Sequence, residues 1–227
     1  MDDQLTNLNI INNLIQQKMK KLIAIAAFVA AMCVAGNAQA QLSVRFGYAP
    51  ETFTRTYNST TTENYNGFFF GVHNNFTLKS GLGLTLGVQG RMNMKTEKES
   101  LGTITNTTKD RQLLIDVPIA LNYSIAFGPN VKITPFVGPM VSFALSGKTT
   151  TTQHGDITGA NLVETLDWYG DNAIMKRLNL AVMGGVNLKY VRLNLFAGYQ
   201  MGLLDIDTFN NATTKTSGFF VGLGYDL

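Results

Sequence analysis

The chain has 227 residues, a formal net charge of +3 and a mean hydropathy of +0.05. This length suits one all-β domain. A charge so close to neutral favours neither nucleic acid nor a strongly acidic partner. The one cysteine, Cys33, excludes an intrachain disulfide framework.

The first 40 residues are typical of an N-terminal extension followed by a secretory signal peptide. Met19 begins the signal, Lys20 and Lys21 form its charged start, and residues 22–34 form its apolar stretch. Residues 38–40, Ala-Gln-Ala, predict cleavage after Ala40. The apolar stretch is short for a transmembrane anchor, and Met32 before Cys33 disfavours a lipoprotein signal. We therefore expect residues 1–40 to be removed and residues 41–227 to form the folded domain, with a net charge of +2 after the loss of three Lys and two Asp.

The last eleven residues show the pattern that dominates the rest of the chain. Phe219, Val221, Leu223, Tyr225 and Leu227 alternate with glycine or a polar residue, apart from Phe220. A period of two predicts a β-strand with one apolar face and one small or polar face. The same pattern occurs in about eight segments after residue 40, and the segment that begins at residue 82 (Leu-Gly-Leu-Thr-Leu-Gly-Val) is the clearest.

Short and long connections alternate between these segments. Short turns follow the second, fourth and sixth segments, near residues 79–81, 128–130 and 189–190. Long polar loops are expected at residues 50–63, 97–108, 148–175 and 205–216. Pro135 and Pro139 predict a bend in the fifth strand, because proline cannot donate to a β-ladder.

The fold class predicted by these features is all-β, an eight-stranded antiparallel up-and-down transmembrane β-barrel. Alternating loop lengths and an even strand number are typical of membrane barrels. The alternative is a soluble eight-stranded barrel of the lipocalin kind. That alternative places apolar side chains inside, whereas here the glycine, asparagine, glutamine and arginine residues share the face opposite the apolar one.

The mature chain resembles the small outer-membrane β-barrel domain family, which includes the OmpA transmembrane domain and OmpX-like, porin-family proteins. The resemblance rests on the Ala-Gln-Ala cleavage site, the Leu-Gly alternation from Leu82, the Pro-Phe-Val-Gly-Pro strand from Pro135, and the final strand from Gly218. It implies a Gram-negative outer membrane, contact with its lipids and insertion by the barrel-assembly machinery through the last strand. In this family that strand usually ends in an aromatic residue, where this chain has Leu227.

Polar residues on the inward face predict a network that fills the lumen and fixes the barrel. Charges in a narrow lumen must be paired, because an unpaired buried ion costs several kcal/mol. We expect Arg91 opposite Asp116, His73 beside Gln89 and Arg91, and Arg45 near Asp226. The predicted network comprises Arg45, His73, Gln89, Arg91, Asp116, Asn122 and Asp226.

The function predicted from these residues is non-enzymatic: a structural or surface-interaction role with four external loops and no cofactor or metal. Known members of the fold are structural, adhesive or enzymatic, so two alternatives stay open. The first is a narrow channel for small solutes. The second is a lipid-modifying enzyme that uses His73, Asp116 and Ser142 as a hydrolytic or acyl-transfer set. The other histidine, His154, is expected to be a solvated loop residue.

Trp168 and Tyr169 form the strongest candidate contact in the predicted external loops. They lie beside Asp167 and Asp171 in the longest of these loops. Exposed aromatic residues are favoured at recognition surfaces. We therefore expect this pair to contact an extracellular partner.

Overall fold

The computed structural model describes residues 40–78, 80–101, 104–154, 162–170, 173–209 and 211–227. The predicted signal peptide, apart from Ala40, lies outside these residues and stays a prediction. Residues 41–227 form one unit. Within the described residues, no helix is long and apolar enough to cross a membrane.

The described residues form eleven strand segments. Their bounds are β1 (Ala40–Tyr48), β2 (Glu51–Thr56), β3 (Thr60–Thr77), β4 (Leu82–Leu101), β5 (Ile104–Tyr123), β6 (Ile125–Phe127), β7 (Val131–His154), β8 (Leu162–Asp167), β9 (Leu178–Tyr190), β10 (Leu193–Gly202) and β11 (Thr213–Asp226).

These segments make a closed ring of eight antiparallel strands. β1 and β2 act as one strand interrupted at residues 49–50, and both pair with β11 on one side. From there the ring runs through β3, β4, β5, β7, β9 and β10 back to β11, while β6 and β8 pair with β7. Closure leaves no open edge in the ring. The predicted eight-stranded up-and-down barrel is therefore confirmed.

The two faces of the strands follow the sequence alternation. In β11, Phe219, Val221, Leu223 and Tyr225 are exposed on the outside, whereas Phe220, Gly222 and Gly224, which alternate with them, are buried in the lumen. Inward glycines leave room for lumen rings, because a Cβ on Gly222 would lie 2.5 Å from the ring of Phe196. The period-two pattern thus predicts correctly which residues face the lumen.

The outward apolar residues form a belt around one part of the barrel. On β4 the outward residues are apolar or glycine from Leu82 to Met94, and polar from Thr96 onward. A rise of about 3.3 Å per residue and a strand tilt of about 40° give about 30 Å between Leu82 and Met94. The belt is therefore tall enough for the lipid-facing band of membrane barrels, which is about 25 Å. Beyond the belt the strands continue with polar residues.

Two of the four predicted loops are largely strand and a third contains two strand segments, which corrects the expectation of irregular loops. Residues 50–63 belong mostly to β2 and β3, and residues 97–108 extend β4 and β5. The loop expected at residues 148–175 includes the end of β7 and the whole of β8. The fourth, at 205–216, does contain irregular chain before Thr213. Threonine is β-branched and suits extended chain. Because these threonine-rich segments are polar on both faces, they lack the alternation by which strands are recognised.

Strand register differs from the prediction in two hairpins, because His73 lies opposite Gly87 rather than Gln89 and the β4–β5 pairing is also displaced. Arg91 pairs with Leu114, and Asp116 pairs with Gln89, so the observed register of β4 and β5 is displaced by two residues. A shift of two residues keeps every side chain on its own face, whereas a shift of one would reverse the faces. Near the predicted bend, the pairing of β7 with β5 is interrupted at Gly138 and Pro139, whereas Pro135 and Pro139 stay paired with β9. A separate shift of the β5–β7 register lies between Leu113 and Leu114 of β5.

Candidate functional site

The barrel has two different ends. The turn end carries the start of β1, the last residue Leu227 and the short connections, where Gly81, Gly128 and Val191 have positive φ angles. The hairpin end carries the polar extensions of β2–β5, β7 and β8. The lumen between the two ends contains the candidate site.

An aromatic cluster closes the lumen at the hairpin end. Phe53 and Tyr65 lie 4.8 Å apart between ring centroids, and Trp168 meets Tyr65 edge-on at 6.1 Å. Trp168 Nε1 donates a hydrogen bond of 2.8 Å to Thr149. The cluster comprises Phe53, Tyr65, Leu114, Ala144, Trp168, Tyr169 and Ile206.

Trp168 and Tyr169 are therefore not exposed, and the expectation that they form an exposed loop contact is wrong. Their side chains are only 3% and 6% exposed. Tyr169 accepts a hydrogen bond of 2.6 Å from Gln112 of the lumen, and Arg177 lies 5.0 Å above its ring. Burial raises the pKa of Tyr169 to about 12. The turn after β8 folds inward because it buries large aromatic area there.

An ion-paired group lies directly below this cluster, and we call it the lumen plug. Arg91 Nε lies 2.9 Å from Asp116 Oδ2, and Arg91 Nη1 lies 3.0 Å from Glu51 Oε2. Asn93 donates hydrogen bonds to Glu51 and to Gln112. The plug comprises Glu51, Arg91, Asn93, Gln112 and Asp116, and each of these side chains is at most 3% exposed.

The plug continues toward the turn end through two predicted residues. Gln89 donates a hydrogen bond of 3.3 Å to Asp116. His73 Nε2 lies 3.2 Å from Gln89 Oε1. The structure thus brings His73, Gln89, Arg91 and Asp116 into one connected chain, in which Gln89 separates the histidine from the carboxylate.

The remaining predicted residues lie in separate groups near the turn end. Asn122 donates hydrogen bonds to Thr85 and Asn75 at 2.8 and 2.9 Å. Asp226 pairs with Lys189 at 2.6 Å and accepts a hydrogen bond from Asn194 at 2.8 Å.

The predicted proximity of Arg45 and Asp226 does not produce an ion pair. In the closing register, Asp226 lies opposite Ser43, and Arg45 lies opposite Gly224. Lys189 reaches Asp226 from β9 instead. Arg45 packs its guanidinium 5.2 Å above the ring of Phe196.

Sequence reasoning missed Glu51, Asn93 and Lys189. The sequence predicts a loop at Glu51, although this residue begins β2 and shares its inward face with Phe53. Asn93 lies two residues after Arg91 on the same face of β4. The alternation therefore contained a signal for both residues, whereas the pairing of Lys189 depends on how the barrel closes.

A cavity of about 250 Å³ occupies the lumen between the plug and the turn end. Phenyl rings and methionines surround its inner part, and Ala126 and Lys132 line it at the turn end. Arg91 and Asp116 are not part of its lining, so the plug lies beyond its inner end. The lumen is therefore not uniformly filled by polar side chains, because a partly apolar cavity remains below the plug.

The residues proposed for an enzymatic alternative are only partly together. Asp116 lies opposite Ser142 in the β5–β7 register, as expected. His73 contacts Gln89 rather than either of them. Across the described ranges, no group of three histidine, cysteine or acidic residues is arranged to hold a metal ion.

Comparisons with solved structures return outer-membrane proteins at low identity. Ail, the attachment invasion locus protein of Yersinia pestis, solved with the heparin analogue sucrose octasulfate, is 15% identical; the match covers 83% of this chain and 99% of that chain with a TM-score of 0.41. Neisserial surface protein A is 14% identical, with 82% and 97% covered and a TM-score of 0.35. The outer membrane enzyme PagL is 10% identical, with 79% and 99% covered and a TM-score of 0.33. At these values the likenesses carry no argument about activity or ligand.

The comparison with protein families is decisive for the class of protein. No curated protein matches the sequence. The model of the outer membrane protein beta-barrel domain matches residues 34–208, which is most of the chain. This protein therefore belongs to the outer membrane protein beta-barrel domain family, and it is a barrel of the bacterial outer membrane.

Proposed function

We propose that this protein is a non-enzymatic barrel that displays rigid β-hairpins at the cell surface for interaction with an extracellular partner. The observation that carries the proposal is the length of the strands. β4 and β5 pair without a gap from Met92 and Leu113, in the apolar belt, to Leu101 and Ile104. These residues extend well beyond the height that a membrane requires.

The orientation proposed here places the hairpin end outside and the turn end in the periplasm. Short periplasmic turns and long external connections are the usual asymmetry of these barrels. The proposal includes removal of the signal peptide after Ala40 and insertion by the barrel-assembly machinery through β11. Outer-membrane lipids cover the apolar belt.

The hairpins are supported from inside the barrel. The aromatic cluster joins β2, β3, β5 and β7 to the turn after β8, and the lumen plug joins β2 to β4 and β5. A surface fixed in this way loses less conformational entropy on binding than a mobile loop does. This supports recognition by the hairpins rather than by flexible loop tips.

A channel is disfavoured by the same features. A conducting path must pass the lumen plug, where Asn93 and Asp116 are 0% exposed. We expect no stable conductance steps in planar bilayers containing the folded protein. Reproducible steps from the unaltered protein would favour the channel alternative.

An enzyme is disfavoured by the arrangement of the candidate residues. A nucleophile and its base must lie within hydrogen-bond reach, whereas His73 Nε2 is engaged by Gln89. Ser142 is 2% exposed and therefore shielded from a lipid substrate. Loss of a lipid A modification on replacing His73, with folding intact, would support the enzyme instead.

The surface role is tested by shortening one hairpin. Thr96 and Lys109 lie opposite each other, so residues 97–108 are replaced by Asn-Gly, which favours a two-residue hairpin turn. The matched control replaces Val191 and Arg192 at the turn end by the same dipeptide. We expect cell-to-cell and cell-to-surface attachment to fall only in the shortened variant, with equal amounts of folded barrel. Unchanged attachment would contradict the surface role. If attachment is unchanged but the cells become more sensitive to detergent, the hairpin stabilises the envelope instead.

A further inference from the structure

The cavity below the lumen plug contains a cation, Arg45, that is attracted by Asp226 but forms no direct ion pair with it. Arg45 lines this cavity of about 250 Å³. Its Nε is buried and has no hydrogen-bond partner. The described residues place the ring of Phe196 against its guanidinium, but no carboxylate within ion-pair distance. An arginine held in this way is able to bind an anion.

Asp226, the carboxylate that the sequence predicts near Arg45, already has two other partners. Asp226 is bound by Lys189 at 2.6 Å and by Asn194 at 2.8 Å. The charged residues that line the cavity are Arg45, Lys132, Lys189 and Asp226. Three cations against one carboxylate give the lining a net charge of +2. The cavity therefore attracts anions.

Further unsatisfied polar atoms belong to the same lining. Nδ1 of His73 and Oδ1 of Asn187 are buried without hydrogen-bond partners. The two side chains are 5% and 8% exposed. Buried polar groups are normally satisfied, so these two atoms indicate a lining that gains from a polar occupant. Nδ1 of His73 is able to donate to an anion when it carries the ring proton, whereas Oδ1 of Asn187 requires a donor.

The inner wall of the cavity is apolar and aromatic. Phe69 and Phe196 lie 6.0 Å apart, and Phe136 stacks with Phe220 at 6.2 Å. All four rings line the cavity. A fully hydrated inorganic anion gains little from such a wall, whereas a flat apolar group gains by burial and ring contacts.

We infer that this cavity is a binding site for a small organic anion, namely a carboxylate attached to a flat apolar body. Arg45 receives the carboxylate, because a guanidinium binds the two oxygens in a forked geometry. The apolar body lies among the four phenyl rings. The ligand enters from the turn end, since the lumen plug closes the other side. This inference goes beyond the proposed surface role and does not depend on it.

The test uses the folded protein in lipid nanodiscs, which avoids competition by detergent. Benzoate is the probe, benzamide is its uncharged counterpart, and inorganic phosphate is the anion without an apolar body. The Nε–H resonance of Arg45 is followed by NMR during each titration. We expect saturable shifts with benzoate and much weaker ones with benzamide and phosphate.

Substitutions at Arg45 and at a control arginine complete the experiment. Because the variants lack the Arg45 resonance, benzoate binding to them and to the unaltered protein is measured by isothermal titration calorimetry. Arg45→Gln is expected to weaken benzoate binding about tenfold, which corresponds to about 1.4 kcal/mol. Arg45→Lys keeps the charge and is expected to retain part of the affinity. Arg192→Gln makes the same charge change at the turn end but outside the cavity lining, and is expected to leave binding unchanged.

Three results would overturn the inference. Equal binding of benzoate and benzamide would exclude an anion site. Stronger binding of phosphate than of benzoate would exclude the apolar part. Equal losses in Arg45→Gln and Arg192→Gln would show that benzoate responds only to the overall charge of the turn end.

Discussion

Arg91 and Asp116 are joined by two contacts across β4 and β5, at 2.9 Å from Nε and 3.2 Å from Nη2, although they are not direct neighbours in the register. The guanidinium also reaches Glu51 of β2 at 3.0 Å. One arginine therefore connects three strands across the lumen. Because the three side chains are almost fully buried, each charge depends on the others for compensation.

Removing this arginine is expected to destabilise the barrel strongly. Arg91→Met leaves Glu51 and Asp116 buried without a counter-charge, and breaking a buried pair in this way costs about 3–5 kcal/mol. Urea unfolding in lipid vesicles measures the loss. Arg111→Met is the matched control, because Arg111 lies on the exposed face of β5 and is expected to change stability by less than about 0.5 kcal/mol. Equal losses in both variants would show that the plug does not hold the barrel.

The apolar belt predicts that the stability lost on introducing a charge depends on where the substituted residue lies along the barrel axis. Leu223 and Leu166 are similarly exposed, at 50% and 47%, but Leu223 lies in the belt and Leu166 on β8 at the hairpin end. Leu223→Arg is expected to cost about 2–4 kcal/mol, because it places a charge in hydrocarbon. Leu166→Arg is expected to stay within about 0.5 kcal/mol, as a solvent-exposed substitution does. Similar unfolding free energies for the two variants would contradict the position of the belt.

Burial of the sole tryptophan makes it a direct probe of the aromatic cluster. Trp168 is 3% exposed and bonded to Thr149, so its fluorescence emission is expected to be blue-shifted and poorly quenched by iodide. Trp168→Ala removes a large buried ring and is expected to cost about 3–5 kcal/mol. Thr149→Val keeps the ring and removes only its hydrogen bond, so a smaller loss is expected. Emission typical of a solvent-exposed indole would mean that the cluster does not form.

The sequence predicts those parts of the fold that depend only on the alternation of side chains between the two faces of a strand. Arg91 and Asp116 were placed in the lumen although their register was wrong by two residues, because an even displacement preserves the facing. The hairpin extensions lacked this signal, since threonine-rich chain is polar on both faces. Their β-structure comes from pairing with neighbours that already form a barrel.

Contacts between distant strands are harder to predict than the face of a strand on which a side chain lies. Lys189 rather than Arg45 pairs with Asp226, and this choice depends on how β9, β10 and β11 are staggered around the ring. Trp168 is buried because the turn after β8 folds back over the lumen, which no local pattern records. Long-range pairing of this kind requires the closed geometry of the barrel.

The connection between β10 and β11 is expected to loosen in acid because of Asp205. Burial alone would raise the pKa of this carboxyl, but hydrogen bonds from the backbone amides of Asp207 and Thr214, at 3.0 and 2.8 Å, together with Lys176, hold it below its ordinary value of 3.8. A pKa that is lower in the folded state stabilises the fold fully above the unfolded value, and this contribution is lost as the pH falls through the folded value. We therefore expect protease cleavage of this connection to increase below about pH 4, measured with an acid-active protease on the protein in nanodiscs. Asp205→Asn should cleave more readily at neutral pH and lose most of the acid dependence, whereas Asp167→Asn, in a different connection, should retain it. Unaltered acid dependence in Asp205→Asn would show that another group controls the opening.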